Sequence, residues 1–390
     1  MMMLKKLIIK NFKSFKNDTT IDFTRTNYTF LSDINVADNG ILKGALFVGA
    51  NASGKSNVIL AIQLLLELLF KEKEINSGIL LCLFSDNTEF SLDYYFSINN
   101  EEVRYLIKND VEQKEIVEKL FVNDKLKLER MDLKAISYLD GKKEINYGKD
   151  DLDKETLSLR KIYFDSNRFA GNETLQKWYD FLKSSIYFNA FDKLNVSYNN
   201  DDFRLTSYVK EFGVEQLNRF LNDQNFAQSV EYSNESKNDR MLFKARNDDK
   251  ILLFKRDGVD LQIPLSEESS GNRTLLDILP AYLQVIKYNG MLLVDEFSSG
   301  FHNVLEELLI KYFMETSKQS QLIVISHSTN LLTTALLRPD QIYTVEFKGE
   351  NGSQLHRVSD EQPRVAQNLE KMYLSGVFGG LPNYEDSNED

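Results

Sequence analysis

A glycine-rich segment at residues 49–56 has the composition and spacing of a phosphate-binding loop. It reads Gly-Ala-Asn-Ala-Ser-Gly-Lys-Ser and fits G-x-x-x-x-G-K-[ST], in which backbone N–H groups and a lysine surround phosphate oxygens. An apolar helix is predicted directly after it, and the positive end of that helix would face the anion. We therefore expect ATP, with Lys55 on the β- and γ-phosphates, and Mg²⁺ on the Ser56 hydroxyl. The expected nucleotide-binding residues of this segment are Gly49, Ala50, Asn51, Ala52, Ser53, Gly54, Lys55, Ser56 and Asn57.

Two adjacent carboxylates end a second apolar stretch, which reads MLLVDE at residues 291–296. Acids at the end of a buried strand are costly unless something pairs with them, and a metal ion with bound water is such a partner. We expect Asp295 to hold Mg²⁺ and Glu296 to act as general base toward the attacking water, as in a Walker B strand. Because consecutive strand residues point to opposite faces, the two carboxylates should diverge. The plainer alternative is a strand that simply ends at the surface.

Two further polar segments lie beside predicted elements, one before a helix and one after a strand. The turn ESSG at residues 268–271 precedes an apolar helix, and alone it is typical of a helix cap, although a helix N-terminus can also receive an anion. His327 follows the apolar strand QLIVIS. A lone histidine is more often structural than catalytic, so neither feature identifies a function without its context.

The net charge and the cysteine content indicate which binding partners and which cellular compartment to expect for the protein. With 47 Lys and Arg against 59 Asp and Glu, the formal net charge is −12, which disfavours a broad nucleic-acid surface but allows a local basic patch. The one cysteine, Cys82, is expected to be a buried thiol. No uncharged apolar stretch reaches the roughly 18 residues of a membrane span, and no signal peptide is evident. We therefore expect a soluble cytoplasmic protein without membrane contacts.

The periodicity of apolar residues predicts an α/β fold with two kinds of sheet. Strands at residues 90–98, 103–108 and 116–122 indicate an antiparallel meander, whereas strands that alternate with helices after residue 250 indicate a parallel sheet. Helical spacing at residues 174–188 and 205–226, without a sustained heptad repeat, predicts a compact helical lid. We divide the chain into residues 1–165 and 251–390, the two halves of an ATPase head, and residues 166–250, the lid insertion.

In this order the motifs resemble those of ABC-type ATPases related to the SMC, Rad50 and RecF heads. The chain is more closely similar to the bacterial AAA15/AAA21 ATPases of the abortive-infection and restriction-linked type, including RloA and AbiL. The last two of the matching segments are the family-specific ones. The segments are LKKLIIKNFKSF (4–15), GANASGKSN (49–57), VRYLI (103–107), ESSGNR (268–273), LLVDE (292–296), QLIVISHSTNLL (321–332), RPDQIYTVE (338–346) and NLEKMYLSGVFGGLP (368–382).

The resemblance implies an ABC-type head, with mixed and parallel sheet around the P-loop, an antiparallel β subdomain and a helical lid. It makes the turn at residues 268–271 a signature loop, in which Ser269 and Gly271 contact ATP held by a second subunit. It makes His327 a switch histidine at the γ-phosphate, catalytic together with Lys55 and Glu296. The implied active form is an ATP-bridged homodimer or a larger oligomer.

Several positions depart from the family pattern. Residues 298–303 read SSGFHN in place of an Asn-Ser-Leu-His-Pro-like turn, which leaves the role of His302 at a subunit contact open. Thr274 and Val377 stand where the family tends to have arginine. No Q-loop residue is assigned: Gln63 lies on the helix after the phosphate loop, and Asn167 is the other candidate.

The resemblance favours a regulatory ATPase of a bacterial anti-phage, abortive-infection system, which senses infection and controls a separate effector. Only about 40 residues follow the strand predicted at residues 341–347, too few for a nuclease domain of usual size. The effector is therefore expected to be another chain, a Toprim-like or other toxic nuclease. The alternatives are a RecF-like DNA-repair ATPase that binds DNA, the nucleotide-binding subunit of a transporter, and an ATP-binding scaffold with little turnover.

Overall fold

The computed structural model describes residues 2–98, 101–139, 144–165, 172–199, 203–236, 244, 250–299 and 301–381. The N-terminal part is mostly β-structure with one long helix. Its elements are β1 (Met2–Lys10), β2 (Thr19–Asp22), α1 (Ser32–Asn35), β3 (Gly44–Val48), α2 (Lys55–Phe70), β4 (Glu89–Ile98), β5 (Glu101–Asp110), β6 (Glu115–Val122), β7 (Lys125–Met131), β8 (Lys134–Ser137), β9 (Ile145–Tyr147) and α3 (Ser158–Asp165).

Eight of these strands form one antiparallel sheet, in the order β2-β1-β4-β5-β6-β7-β8-β9. The predicted meander is confirmed, because β4 pairs with β5 along its whole length and β5 pairs with β6. Phe90, Leu92, Tyr94 and Phe96 point inward and are fully buried, while the intervening residues of β4 lie on the other face. This alternation is what an antiparallel sheet with one covered face requires.

The C-terminal part alternates strands with helices. Its elements are α4 (Glu173–Lys183), β10 (Ile186–Asn189), β11 (Leu194–Ser197), α5 (Leu205–Phe212), α6 (Glu215–Asp223), β12 (Gln228–Ser233), β13 (Ile251–Arg256), β14 (Gln262–Pro264), α7 (Ser270–Tyr288), β15 (Met291–Asp295), α8 (Asn303–Thr316), β16 (Gln321–Ile325), β17 (Ile342–Phe347), β18 (Ser353–Arg357) and α9 (Leu369–Leu374).

A second sheet forms the centre of the molecule, with seven strands in the order β11-β10-β15-β16-β3-β17-β18. The five inner strands are parallel, and the two edge strands are antiparallel to their neighbours. Strands β3, β15 and β16 are buried at every position, as expected of strands covered on both faces. Because these three are adjacent and parallel, the residues that follow them meet at one edge of the sheet. The phosphate loop, Glu296 and His327 are such residues.

Helix α2 lies between the two sheets. It shares a core with the antiparallel sheet and with one face of the central sheet, which contributes Phe47, Leu293 and Ile323. The opposite face of the central sheet, with Leu46 and Val294, packs on α7, α8 and the lid helices α5 and α6. A helix that is apolar nearly all round is stable only when it is enclosed in this way. The enclosure fixes the first turn of α2, where the phosphate-binding lysine is expected.

The segment predicted as a helical lid differs in part from the structure. The helix expected over residues 174–188 ends at Lys183, and Ile186–Asn189 is strand β10 of the central sheet, paired in parallel with β15. Ser184 and Ser185 end the helix, and the buried pairing of Ile186 beside Leu292 outweighs the helical spacing. The helices predicted on either side of Gly213 are confirmed as α5 and α6, and β12, β13 and β14 form a small antiparallel sheet beside them. The boundaries at residues 165 and 250 stay predictions.

Candidate nucleotide site

The phosphate loop leaves β3 and turns sharply into α2. Ala52 and Gly54 both have left-handed φ angles, +59° and +100°. At Gly54 a Cβ atom would lie 2.2 Å from Ser353 Oγ and 2.3 Å from Ser14 Oγ, so side chains from two distant segments leave room for glycine only. Gly54 is also the residue that precedes α2, and it provides no side-chain cap. The N-terminus of this 16-residue helix is therefore available to an anion.

Lys55 is folded back onto the loop that precedes it. Its Nζ donates to Gly49 O at 3.0 Å and to Ala50 O at 2.6 Å, and the residue is only 5% exposed. Burial lowers the pKa of Lys55 to about 8, although the nearby Glu296 and Asp295 carboxylates act in the opposite direction. Two neutral carbonyl groups are weak partners for a buried ammonium, whereas phosphate oxygens would be strong ones. The loop thus holds a cation that can exchange its partners for phosphate.

Ser56 and Asp295 form a pair of oxygen ligands suited to Mg²⁺. Ser56 Oγ donates to Asp295 Oδ1 at 3.2 Å, and the same oxygen accepts the Glu296 N–H at 2.9 Å. Burial raises the pKa of Asp295, partly offset by these two hydrogen bonds, so a divalent cation beside it would relieve an unfavourable charge. Within the described ranges, no group of three or more His, Cys, Asp or Glu side chains could hold a metal. The ion would therefore depend on this pair, water and the phosphates, as is usual for Mg²⁺ at nucleotide sites.

Glu296 and His327 lie together at the same edge of the sheet. Glu296 Oε2 is 3.7 Å from His327 Nε2, and the two side chains are 35% and 33% exposed. The expectation that strand alternation separates Asp295 and Glu296 is wrong, because β15 ends at Asp295 and Glu296 has a left-handed φ of +54°. A bend at this position, and not the pleat of a strand, sets the direction of the Glu296 carboxylate.

Ser298 and Ser299, which depart from the family pattern, hold this pair in place. Ser299 Oγ donates to Glu296 Oε2 at 3.4 Å, and Ser298 Oγ accepts the His327 N–H at 3.3 Å. The turn after β15 is therefore bonded both to Glu296 and to the backbone of His327. His302, farther along, caps α8 through Nδ1, which accepts the Val304 N–H at 3.4 Å.

The turn predicted as a signature loop caps the 19-residue helix α7. Ser269 Oγ accepts the Asn272 N–H at 3.3 Å; Ser269 is exposed and Gly271 is half-buried. Behind the turn lies the buried carboxylate of Glu268, which accepts hydrogen bonds from Arg256 at 2.6 Å and from the Asn272 side chain at 2.7 Å. The geometry gives an ordered helix N-terminus that faces outward. Contact of Ser269 and Gly271 with ATP of a second subunit stays a prediction.

The remaining candidates occupy structural positions or fall outside the described residues. Gln63 is buried on α2 and donates to Glu67 at 3.0 Å, and Asn167 lies outside the described residues. His356, to which no role was assigned from the sequence, lies on β18 with its Nε2 3.6 Å from Glu361. The prediction for Cys82 is confirmed, since it is a buried free thiol.

The sequence alone did not predict several contacts of the phosphate loop. Asn57 Nδ2 donates to Ser14 Oγ at 2.7 Å, Ser353 Oγ donates to Ser53 O at 2.6 Å, and the Ala50 N–H donates to Gly380 O at 2.8 Å. Ser14 and Gly380 lie in the family-matching segments KNFKSF and FGGLP, which was the available signal. Ser353 lies in none of the family-matching segments.

Comparison with known proteins identifies a family for most of the chain. A protein-family model described as "AAA domain, putative AbiEii toxin, Type IV TA system" matches residues 45–333. The structural maintenance of chromosomes protein 3 homolog of Plasmodium falciparum is 33% identical over 133 residues, which are 32% of this chain and 9% of that protein. The chain thus spans less than a tenth of the length of this curated relative.

Solved SMC head domains are also similar to the chain. The SMC head domain from Thermotoga maritima is 16% identical, with a TM-score of 0.49 and coverage of 90% of this chain and 97% of that one. The Pyrococcus furiosus Smc head with an extended coiled coil, bound to the C-terminal domain of ScpA, is 15% identical, with a TM-score of 0.49 and coverage of 97% and 100%. Among the helices that the structure describes, none is long and apolar enough to cross a membrane. The family model covers well over half of the sequence, and the chain therefore belongs to the AAA-domain family whose description names the AbiEii toxin.

Proposed function

We propose that this chain is an ABC-type, SMC-like ATPase that binds ATP with Mg²⁺ and hydrolyses it at an interface between two copies of itself. The observation that carries this proposal is the meeting of three features at one edge of the central sheet. These are the buried cation Lys55, the Ser56–Asp295 oxygen pair, and the Glu296–His327 pair. Membership of an AAA-domain family supports nucleotide chemistry at these residues.

Binding uses groups that are already in place. Lys55 exchanges the carbonyl oxygens of Gly49 and Ala50 for β- and γ-phosphate oxygens, and the N-terminus of α2 faces the same anion. Ser56 and Asp295 would hold Mg²⁺, which when bound would neutralise charge on the phosphate oxygens. Enclosure of α2 between two sheets means that little of this geometry must be formed on binding, which favours affinity.

Glu296 is the proposed general base. Its carboxylate is about a third exposed and can accept a proton from a water molecule placed in line with the γ-phosphate. His327 lies beside it, and Ser298 and Ser299 fix the relative positions of the two residues. We assign His327 to the γ-phosphate side of the site, where a second donor would stabilise charge that develops in hydrolysis.

A second copy of the chain completes the proposed site. Ser269 and Gly271 lie at the exposed N-terminus of α7, and the ion pair of Glu268 with Arg256 keeps the turn in shape. Such a helix end binds phosphate oxygens well. ATP would then bridge two subunits, with the phosphate loop of one subunit and the α7 N-terminus of the other on either side.

For the biological role, we propose a sensor or regulatory ATPase of a bacterial abortive-infection system, of the type of RloA and AbiL, which acts in the cytoplasm with a separate effector. The family description, which names a toxin and a type IV toxin–antitoxin system, supports a setting of this kind. The net charge of −12 gives no support to broad nucleic-acid binding. A Toprim-like or other toxic nuclease on a separate chain is the proposed partner.

Phosphate release by the purified chain, with ATP and Mg²⁺, tests the enzymatic part. We expect the wild-type chain to hydrolyse ATP. Lys55→Ala should lose both turnover and binding of a fluorescent ATP analogue. Tight binding without turnover in the wild-type chain would identify a scaffold. ATP-dependent DNA binding with a steep salt dependence would favour a RecF-like role.

Expression with the neighbouring genes tests the regulatory part, and the absence of any stable or ATP-dependent complex would contradict it.

A further inference from the structure

The family-specific C-terminal block contacts both loops of the nucleotide site. From α9, Glu370 Oε1 accepts the Thr329 hydroxyl at 2.6 Å, and Thr329 lies two residues after His327. From the turn that follows, the carbonyl of Gly380 accepts the Ala50 N–H of the phosphate loop at 2.8 Å. We call α9 together with Gly379 and Gly380 the C-terminal clamp. One short segment thus touches the loop that binds phosphate and the loop that carries the histidine.

The two ends of the clamp are joined rigidly. Tyr373 of α9 is buried, and its hydroxyl donates at 3.0 Å to the same Gly380 carbonyl that accepts the Ala50 N–H. Thr344 Oγ1 of β17 donates to Phe378 O at 2.5 Å and anchors the turn on the central sheet. A displacement of α9 would therefore be passed to Gly380 through the buried Tyr373 side chain, because packed interiors transmit strain.

The histidine loop has one anchor on each side. Asn330 Nδ2 donates to Glu307 Oε1 on α8 at 3.0 Å, and Thr329 donates to Glu370 on α9. The bond to Glu370 is short and has a charged acceptor, so it is the stronger type of hydrogen bond. Loss of it would remove the hydrogen bond that ties this loop to α9, while Asn330 would still join the loop to α8.

Gly380 packs tightly against β17 and lies in ordinary contact with the phosphate loop. A Cβ atom there would lie 3.2 Å from Thr344 Cβ, 3.3 Å from Val345 O and 3.6 Å from Gly49 Cα, and the φ angle is +78°. Gly376, in the same block, has almost the same φ of +79° but open space around its Cβ position. The two glycines therefore share a backbone conformation and differ in crowding, since only at Gly380 would an added Cβ atom meet β17 and the phosphate loop.

We propose that the C-terminal clamp is a positioning element of the ATP site. Gly380 supports the phosphate loop, and Glu370, through Thr329, orients His327. Neither residue touches the nucleotide. The inference about Glu370 rests on the proposed ATPase function, whereas the inference about Gly380 requires only nucleotide binding.

The Glu370 contact is tested by turnover of Glu370→Ala, Glu370→Gln and Thr329→Val. We expect Glu370→Ala and Thr329→Val each to lower kcat by about tenfold or more, the usual effect of one lost hydrogen bond to a charged group, with ATP affinity unchanged. Glu370→Gln retains an acceptor oxygen and should recover most of the rate. The double variant should be no slower than either single variant, because both remove the same bond. Lys371→Ala is the matched control, because this side chain of α9 is exposed and makes neither the Thr329 contact nor the Gly380 contact.

Wild-type kcat in Glu370→Ala, or no recovery in Glu370→Gln, would overturn the role of Glu370. A fall in kcat that only accompanies a lower melting temperature would overturn it too, because it would show a general loss of stability.

The Gly380 contact is tested by binding alone, in Gly380→Ala and Gly376→Ala. We expect Gly380→Ala to weaken binding of a fluorescent ATP analogue by about fivefold, the value of one hydrogen bond, and Gly376→Ala to bind as the wild type does. Equal affinities in the two variants would overturn the support role. If the wild-type chain binds ATP but never hydrolyses it, the proposed ATPase function fails while this comparison still decides the role of Gly380.

Discussion

ATP affinity should depend on pH through Lys55, and the size of the effect follows from the structure. The side chain is 5% exposed and donates only to neutral carbonyls, and burial lowers its pKa to about 8. Phosphate oxygens stabilise the protonated form, so the bound state keeps the proton. At alkaline pH the empty site has lost that proton and must regain it on binding. Affinity should therefore fall as the pH rises through about 8.

The expected change is about tenfold. With a pKa of about 8, roughly nine-tenths of the empty protein carries a charged Lys55 at pH 7, and roughly one-tenth does at pH 9. If only the charged form binds ATP well, the apparent dissociation constant rises in proportion, by about one power of ten across this range. Binding at pH 9 should take up close to one proton per ATP.

Calorimetric titration in buffers of different ionisation enthalpy measures the affinity and the proton uptake together. Lys55→Arg is the control, because a guanidinium stays charged across this range and should remove the pH slope that Lys55 causes. Any slope that remains in this variant comes from ATP or from other groups and can be subtracted. Equal wild-type affinity at pH 7 and pH 9 would refute the reasoning, and so would a wild-type slope that Lys55→Arg retains.

Two other substitutions test the packing around the site. Gly49→Ala would place a Cβ atom 2.3 Å from the backbone oxygen of Val345. We expect this variant to lose about 2 kcal/mol or more of its free energy of unfolding and to melt at a lower temperature. Gly40→Ala is the control and should lose less, because nothing lies within 4 Å of its Cβ position. Glu306 is 1% exposed, and burial raises the pKa of its carboxyl. The native state therefore keeps this proton to a higher pH than the unfolded state does. As the pH rises above about 4.3, the group lowers the free energy of unfolding. Glu306→Gln should therefore melt at least as high as the wild type at pH 8, with a smaller advantage at pH 4.5; a lower melting temperature at pH 8 would contradict this.

The local sequence was sufficient to predict the glycine-rich loop between β3 and α2. The roles proposed for Gly54, Lys55 and Ser56 follow from backbone flexibility, charge and oxygen ligation, all within eight residues of chain. The buried strand ending in Asp295 was also predictable, because a fully apolar run that stops at two adjacent acids is typical of a strand that leaves the core at a charged site. The strand order β15-β16-β3 then brings these segments to one edge, as the alternation of strands and helices suggested.

Contacts between distant segments were not predictable in this way. The bend at Glu296, with its φ of +54°, depends on the turn through Ser298 and Ser299 and on packing, and strand alternation gave the wrong expectation. Ile186 pairs with the central sheet although the spacing of apolar residues predicted a helix there. Burial beside β15 stabilises the strand by more than the local helix propensity stabilises a helix. Gly380 reaches Ala50 across more than three hundred residues of chain, a separation that no local pattern encodes.

The central claim is hydrolysis at a site shared by two subunits, and Glu296→Gln tests it most directly. Glutamine keeps the shape of the side chain and its hydrogen bonding but cannot accept the proton from water, so turnover should fall by about 100-fold or more while ATP still binds. If Ser269 and the α7 N-terminus of a second subunit bind the γ-phosphate, uncleaved ATP should hold the subunits together.

We therefore measure phosphate release and, by size exclusion with light scattering, the mass of Glu296→Gln with and without ATP and Mg²⁺. The account predicts blocked turnover and a dimer, or an assembly of dimers, that forms only with ATP. Near-normal turnover would contradict the role of Glu296 as the base, and blocked turnover without any ATP-dependent association would contradict the shared site.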